Sequence, residues 1–279
     1  MPQSVRLTGI VAAASALVLV AGLVHGGERD GGATIAASIG AGLMHFQFEE
    51  FDRQDRRLVK EAGWLPGLEG SLGVRQQAVS LAVDVGYYAG DVDYDGQTSS
   101  GVPIDSSTDQ RIFEASINAA CELPLGLPPR VSVYAGGGYR HWDRDIASVG
   151  AVSGLDETYQ WWRAETGVKL QLARGASAWE LEAGLTRTLN PQVEVDFGAA
   201  FDAVTLDLGE RWGWRTAASW SHRVSPQLAA GLKVFYASWD LGQSSVETLT
   251  SNGVTAGSVF QPRSESRNYG VILSLHRAW

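Results

Sequence analysis

Carboxylates at alternating positions form the most specific candidate site in the sequence. Asp91, Asp93 and Asp95 precede Gly96, which matches the first half of an EF-hand calcium loop. Such a loop turns at its glycine and gathers carboxylate oxygens, the ligands that Ca²⁺ prefers. The match ends there, because position twelve is Val102 instead of a bidentate Glu. The sequence predicts no cofactor apart from a candidate divalent cation, calcium or magnesium, with Asp91, Asp93 and Asp95 as ligands. The alternative is an acidic strand tip that turns at Asp95-Gly96.

Histidines beside acidic or hydroxyl groups are the residues that could support hydrolysis. The combinations are His141 with Asp143 and Asp145, His45 with Glu49, and Ser221 with His222. None of them completes a set of nucleophile, base and orienting acid. The sequence therefore favours a protein that is not an enzyme, and a hydrolase stays an alternative.

The elements that must position these residues are β-strands, because apolar and polar residues alternate with period two from Thr34 onward. Val79, Leu81, Val83, Val85 and Tyr87 form one such row. We predict ten strands, with eight or twelve as alternatives. They are Thr34–Phe48, Leu65–Arg75, Ala78–Gly90, Gln110–Leu123, Arg130–Trp142, Thr158–Leu172, Ala178–Leu189, Val204–Val224, Leu228–Asp240 and Arg267–Trp279. A change of phase between Leu43 and Phe46 predicts a β-bulge in the first strand.

The connections between these strands alternate in length. Short connections are predicted at Gln76-Gln77, Glu122–Pro129, Ala173–Ser177 and Ser225–Gln227. Long connections are predicted at Glu49–Trp64, Asp91–Asp109, Asp143–Glu157, Asn190–Ala203 and Leu241–Ser266. Short turns on one side and long loops on the other are typical of outer-membrane barrels. The predicted fold class is therefore all-β, a closed antiparallel transmembrane β-barrel.

Aromatic residues fall at two heights along the predicted strands. Those at the long-loop ends are Tyr87, Tyr139, Trp162, Trp212, Trp214, Tyr236 and Tyr269, and those at the short-turn ends are Trp179, Trp220 and Trp279. Aromatic rings favour the two interfaces of a membrane, so these rows predict two girdles.

The rows that face the barrel interior carry six acids and six bases. The acids are Glu69, Asp84, Glu114, Glu165, Glu180 and Glu182, and the bases are Arg140, Arg163, Lys169, Arg211, Arg215 and Lys233. Paired charges can fill a narrow lumen, whereas an ion pathway needs an excess of one sign. We therefore predict a charge-plugged lumen, with a narrow pore as the alternative.

The N-terminus and the composition restrict where the chain works. Arg6 precedes an apolar run from Leu7 to Val24, so residues 1–26 are predicted to be a signal peptide and residues 27–279 the barrel. A retained membrane anchor is the alternative. The net charge of −9 argues against nucleic acid as a partner, and the single Cys121 excludes an intramolecular disulfide.

At this point the chain resembles small Gram-negative outer-membrane barrels, such as the transmembrane domain of outer-membrane protein A and the ten-stranded omptin proteases. The resemblance covers Thr34 to Trp279 as architecture, and it includes a C-terminal strand, Asn268 to Trp279, that looks like the signal read by the barrel assembly machinery. Family members mostly end in Phe, whereas this chain ends in Trp279. The resemblance implies an outer-membrane location, with membrane lipids, lipopolysaccharide and the assembly machinery as partners. We expect a structural or interaction role with acidic outer loops, and a rim hydrolase or narrow pore as alternatives.

Overall fold

The computed structural model describes residues 32–98, 101–126 and 128–279, and they form one closed β-barrel. The strands are β1 (Thr34–Phe51), β2 (Arg57–Gln76), β3 (Val79–Gln97), β4 (Pro103–Glu122), β5 (Arg130–Ile146), β6 (Leu155–Arg174), β7 (Ser177–Asp196), β8 (Val204–Asp207), β9 (Trp212–Arg223), β10 (Leu228–Leu241), β11 (Glu247–Ser251), β12 (Val254–Val259) and β13 (Arg263–Ala278). Neighbours pair antiparallel in chain order, and β13 pairs with both β10 and β1, which closes the sheet. Among the described residues, no helix is long and apolar enough to cross a membrane.

The barrel wall has ten strand positions, as predicted from the sequence. β8 and β9 both pair with β7 and share one position, and β11 and β12 form a separate hairpin between β10 and β13. The prediction of an all-β, closed antiparallel barrel is therefore confirmed. The predicted signal peptide, residues 1–26, lies outside the described residues.

The strands are much longer than a membrane requires, and this corrects the predicted loops. β2, β4, β6 and β7 have 20 residues each, whereas about 9–11 residues cross a bilayer in a tilted strand. The wall therefore continues beyond the membrane on the side opposite the short turns. The predicted loop Asp91–Asp109, for example, lies almost entirely in β3 and β4, and only residues 98–102 connect them.

The strands continue because polar and apolar residues still alternate beyond the membrane. There the apolar residues face the barrel interior and the polar residues face outward. Within the membrane, β3 turns Tyr87 outward and Asp84 into the lumen. Further along, Val92 is buried in the interior, whereas Asp91 and Asp93 are exposed on the outer wall. An extended ladder in water buries its apolar face inside, so the inversion marks the point at which lipid gives way to water.

The same inversion overturns the predicted bulge in β1. The register of β1 with β2 runs without a shift from Thr34 to Glu50. Leu43 is exposed to the outside, whereas Met44, Phe46 and Phe48 are buried in the interior. The phase of the sequence changes because the apolar side of the strand changes, and no extra residue is inserted.

The outside of the barrel presents a broad apolar belt. Ile39, Leu68, Leu181 and Leu273 are all more than half exposed, which water alone would not favour. Exposed aromatic residues border the belt on both sides, as predicted. On the long-loop side they include Tyr87, Trp162, Trp212, Trp214 and Tyr269, joined by Trp64, and on the short-turn side Trp179 and Trp279. The belt and its girdles have the form of a membrane-spanning barrel surface.

Candidate functional site: a two-part lumen

The outer half of the lumen is filled by an aromatic core. Trp142, on the inward face of β5, is fully buried and stacks on Tyr159 with ring centroids 4.7 Å apart. Phe46 and Phe48 of β1 contact the same indole edge to face, at 5.5 and 5.1 Å. We call this cluster, with Leu65, Ile112, Val193 and Leu206, the outer core. It closes the barrel above the membrane by close packing.

A buried charge cluster lies against the outer core. The Arg144 guanidinium contacts Glu157 at 2.5 Å, Glu61 at 2.8 Å and Glu50 at 3.5 Å. Glu61 also accepts hydrogen bonds from Gln110 Nε2 (2.7 Å) and Thr108 Oγ1 (2.8 Å). We call Arg144 and its three glutamates the Arg144 cluster.

The Arg144 cluster holds three carboxyl groups and one guanidinium, and the pKa of one of these carboxyl groups is raised. Burial raises the pKa of Glu50 to about 7, against the opposing attraction of Arg144. Gln261, from the connection between β12 and β13, donates a hydrogen bond of 2.8 Å to Glu50. The cluster therefore ties the last outer connection to the barrel wall.

The inner half of the lumen is an open chamber of about 540 Å³. Ten of the twelve charged residues predicted to face inward line it, and Glu165 is buried in the same network. The exception is Arg211, which is exposed in the connection between β8 and β9. Ion pairs join most of the charges, including Lys233 with Glu69 at 2.6 Å and Arg215 with Glu182 at 3.1 Å. The predicted pairing is present in the inner half of the lumen, and the outer core fills the outer half.

The predicted calcium ligands lie on the outer wall of β3. Asp91, Asp93 and Asp95 are exposed at alternate positions, and the strand continues past Asp95 without the turn of an EF-hand loop. Asp95 contacts Arg57 Nη2 at 3.0 Å. Among the described residues, no group of three His, Cys, Asp or Glu side chains is arranged to hold a metal ion. Calcium binding by these residues stays a prediction.

The three histidines of these combinations lie apart from the chamber, on the outer wall, although Ser221 itself lines the chamber. His141 Nε2 is 3.3 Å from Asp143 Oδ1 on the extension of β5. His45 stacks on Tyr269 at 4.7 Å within the aromatic girdle. His222 Nδ1 is 3.0 Å from Ser177 Oγ at the short-turn end, so its hydroxyl partner is not Ser221.

Sequence reasoning did not identify the side chains that seal the lumen. Trp142, Trp161 and Trp239 are all inside the barrel, and Arg144 is buried beside them. The signal that could have found them is the inverted alternation itself. In β5, Trp142 and Arg144 continue the inward row that begins at Tyr134.

No family model and no curated protein matches this chain. Among solved structures, the barrel is similar to the outer membrane protease OmpT from Escherichia coli, with a TM-score of 0.57 and 10% identity, over 88% of this chain and 96% of that chain. The translocator domain of the autotransporter NalP from Neisseria meningitidis gives a TM-score of 0.41 and 11% identity, over 96% of this chain and 97% of that one. At this identity the likeness to OmpT shows a shared fold. With the apolar belt and the girdles, it defines the class: this chain is an outer-membrane β-barrel.

Proposed function

We propose that the chain is a sealed outer-membrane barrel with a structural or interaction role, and that its working surface is the wall and connections outside the membrane. The observation that carries this proposal is the outer core, in which Trp142, Phe46 and Phe48 are fully buried across the lumen. Side chains packed to this density leave no water path. The predicted alternative of a narrow pore is therefore less well supported.

The surface outside the membrane is suited to contacts with lipopolysaccharide through divalent cations. β3 and β4 bring like charges together on the outer wall, with Asp91 opposite Asp109 and Asp95 opposite Asp105. Arg57 and Arg111 form salt bridges with Asp95 and Asp109 at 3.0 and 2.9 Å. A divalent cation would relieve the remaining repulsion and bridge the carboxylates to lipid phosphates. Lipopolysaccharide is therefore the partner we propose for this surface, and the barrel assembly machinery the partner during insertion.

The hydrolase alternative has less support in the geometry. OmpT is a protease, but that activity is a property of OmpT and does not follow from a shared fold. Here His141 and Asp143 lie on the outer wall, and the interior at the same height is occupied by the Arg144 cluster. A catalytic pair needs a pocket for the reacting bond beside it. We therefore expect no activity in protease and lipid A deacylase assays, and we place an omptin-like function second.

Conductance in planar bilayers tests the proposal. The unmodified protein should give no stable channel, because the outer core closes the lumen. The double variant Phe48→Ala, Trp142→Ala should conduct if it inserts, because it removes two rings from the seal. Trp162→Ala, which removes an exposed girdle ring, is the matched control and should stay silent. Stable channels from the unmodified protein would overturn the proposal.

A further inference from the structure

The inner chamber is a blind cavity that faces the short-turn side of the barrel. Its lining extends to Gln171, Ser221 and His276 near the short-turn ends of the strands. Its other end is closed by Trp161 and Trp239, which belong to the same core as Trp142. A solute can therefore enter from the short-turn side but cannot pass through. Its volume of about 540 Å³ is in the ordinary range of pockets for small molecules.

Charges inside the chamber form one alternating series with a base at each end. The series is Arg140, Glu114, Arg163, Glu165, Arg215, Glu182 and Lys169, each in contact with the next. It holds four bases and three acids. Two further carboxylates, Asp84 and Glu180, and the ion pair of Lys233 with Glu69 also line the chamber. Arg140 is the base at the closed end, and its one carboxylate partner among the described residues, Glu114, is shared with Arg163.

Three side chains at the closed end have polar atoms with no hydrogen-bond partner among the described residues. They are Arg140 (Nε and Nη1), Trp239 (Nε1) and Asn268 (Nδ2 and Oδ1). All three residues line the chamber, with exposed fractions of 4%, 8% and 0%. The guanidinium of Arg140 lies over the Trp239 ring, 3.6 Å from its centre. Asn268 of β13 pairs with Ala237 of β10, two residues before Trp239. Buried polar groups are normally paired, so a cluster of unpaired ones indicates a missing partner.

The chemistry of these atoms defines that partner. Four of the five are nitrogen donors and two of those belong to a cation, so a partner with acceptor oxygens and negative charge matches them best. The chamber beside them also has apolar wall, from Met44, Phe235 and Ile272. We propose that the inner chamber binds a small organic anion, with its carboxylate or other oxyanion held by Arg140, Trp239 and Asn268. The five atoms are covered by neighbouring protein atoms, so binding requires these side chains to turn toward the chamber.

Calorimetric titration of the full-length barrel in nanodiscs tests this site, with benzoate as the probe and benzamide as its neutral isostere. Benzoate should bind saturably and at least ten-fold more tightly than benzamide, because only benzoate offers a charged oxygen pair. Arg140→Gln should weaken benzoate binding at least ten-fold. Asn268→Leu, which keeps the branching at Cγ but removes both polar atoms, tests the same site if the first variant does not fold. Tyr269→Phe, on the outward neighbour of Asn268, is the matched control.

Two results would overturn the proposal. One is equal binding of benzoate and benzamide, or binding of neither. The other is benzoate binding that survives Asn268→Leu and Arg140→Gln in correctly folded protein. Neither result bears on whether the lumen conducts, so this test is independent of the bilayer experiment.

Discussion

At the scale of single residues, the Arg144 cluster is the most consequential arrangement in the molecule. Three glutamates surround one guanidinium, and all four residues are buried. A buried ion pair recovers its desolvation cost only when the charges balance. Burial is the main reason that the pKa of Glu50 is raised to about 7, and the neighbouring Glu157 and Glu61 carboxylates also raise it. Protonation of Glu50 removes one surplus negative charge from the cluster.

This gives a prediction for stability against pH. A carboxyl with a higher pKa in the folded state binds its proton more tightly when folded, so stability falls as pH rises from about 4.5 to about 7. Glu50→Gln should remove that slope and raise stability at pH 8 by about 3 kcal/mol, because the pKa rises from 4.5 to about 7 and each unit corresponds to about 1.4 kcal/mol. Thermal unfolding between pH 4.5 and 8 measures it. Glu49→Gln, on the outer wall, is the control, and a slope that persists in Glu50→Gln would contradict the assignment.

The calcium prediction also belongs to this scale. Successive outward residues of a strand are about 7 Å apart, so one ion cannot gather all three of Asp91, Asp93 and Asp95. An ion would instead bridge two strands, for example between Asp91 and Asp109, which are paired in the ladder.

We expect calcium to protect the connection at residues 98–102 from protease, because bridging carboxylates would hold β3 and β4 together. A titration of the detergent-solubilised protein measures this. The triple variant with Asn at positions 91, 93 and 95 should lose the effect. Absence of any change at millimolar calcium, the weak end for extracellular calcium modules, would leave these carboxylates as solvated surface charges.

At the scale of elements, β13 is the strand that closes the barrel. It pairs with β10 on one side and with β1 on the other, from Ala36 opposite Ala278 to Phe51 opposite Arg263. Trp279 follows it, with its backbone N–H donating to Ile35 O at 2.9 Å and its ring exposed at the membrane edge.

Loss of this end should impair insertion, because an unpaired strand edge remains and the aromatic terminus is gone. We expect deletion of residues 276–279 to lower outer-membrane levels several-fold, and Trp279→Ala to lower them less. Trp279→Phe should retain them, since it keeps an aromatic ring at the edge. Fractionation and immunoblotting measure the levels. Normal levels of the truncated protein would count against the role of this strand in assembly.

At the scale of the whole molecule, closure of the sheet determines how the barrel unfolds. Every wall strand is paired on both sides within the membrane, so no edge is free from which pairing can be lost strand by strand. The barrel should therefore stay folded in detergent at room temperature and migrate differently from boiled protein on a gel. The same migration before and after boiling, together with recovery in a soluble fraction, would contradict the membrane assignment.

The sequence by itself determined the barrel. Period-two rows such as Val79 to Tyr87, and short connections such as Gln76-Gln77, suffice because strand pairing and lipid exposure are local requirements on each strand. The inward direction of Glu114 and Arg215 followed from the same rows. These features needed no knowledge of which strands meet across the lumen.

Only the tertiary structure decided how the lumen is used. Trp142 and Phe48 are far apart in sequence and meet because β1 and β5 face each other across the interior. Whether a charged inward residue is paired, as Lys233 is with Glu69, or keeps unpaired donors, as Arg140 does, depends on the same cross-lumen distances. Alternation within a strand says which face a side chain takes, but not whether that face meets lipid, water or another side chain. The predicted long connections were too long for this reason. When the surrounding medium is unknown, the point at which the apolar residues move to the other face of a strand resembles the end of that strand.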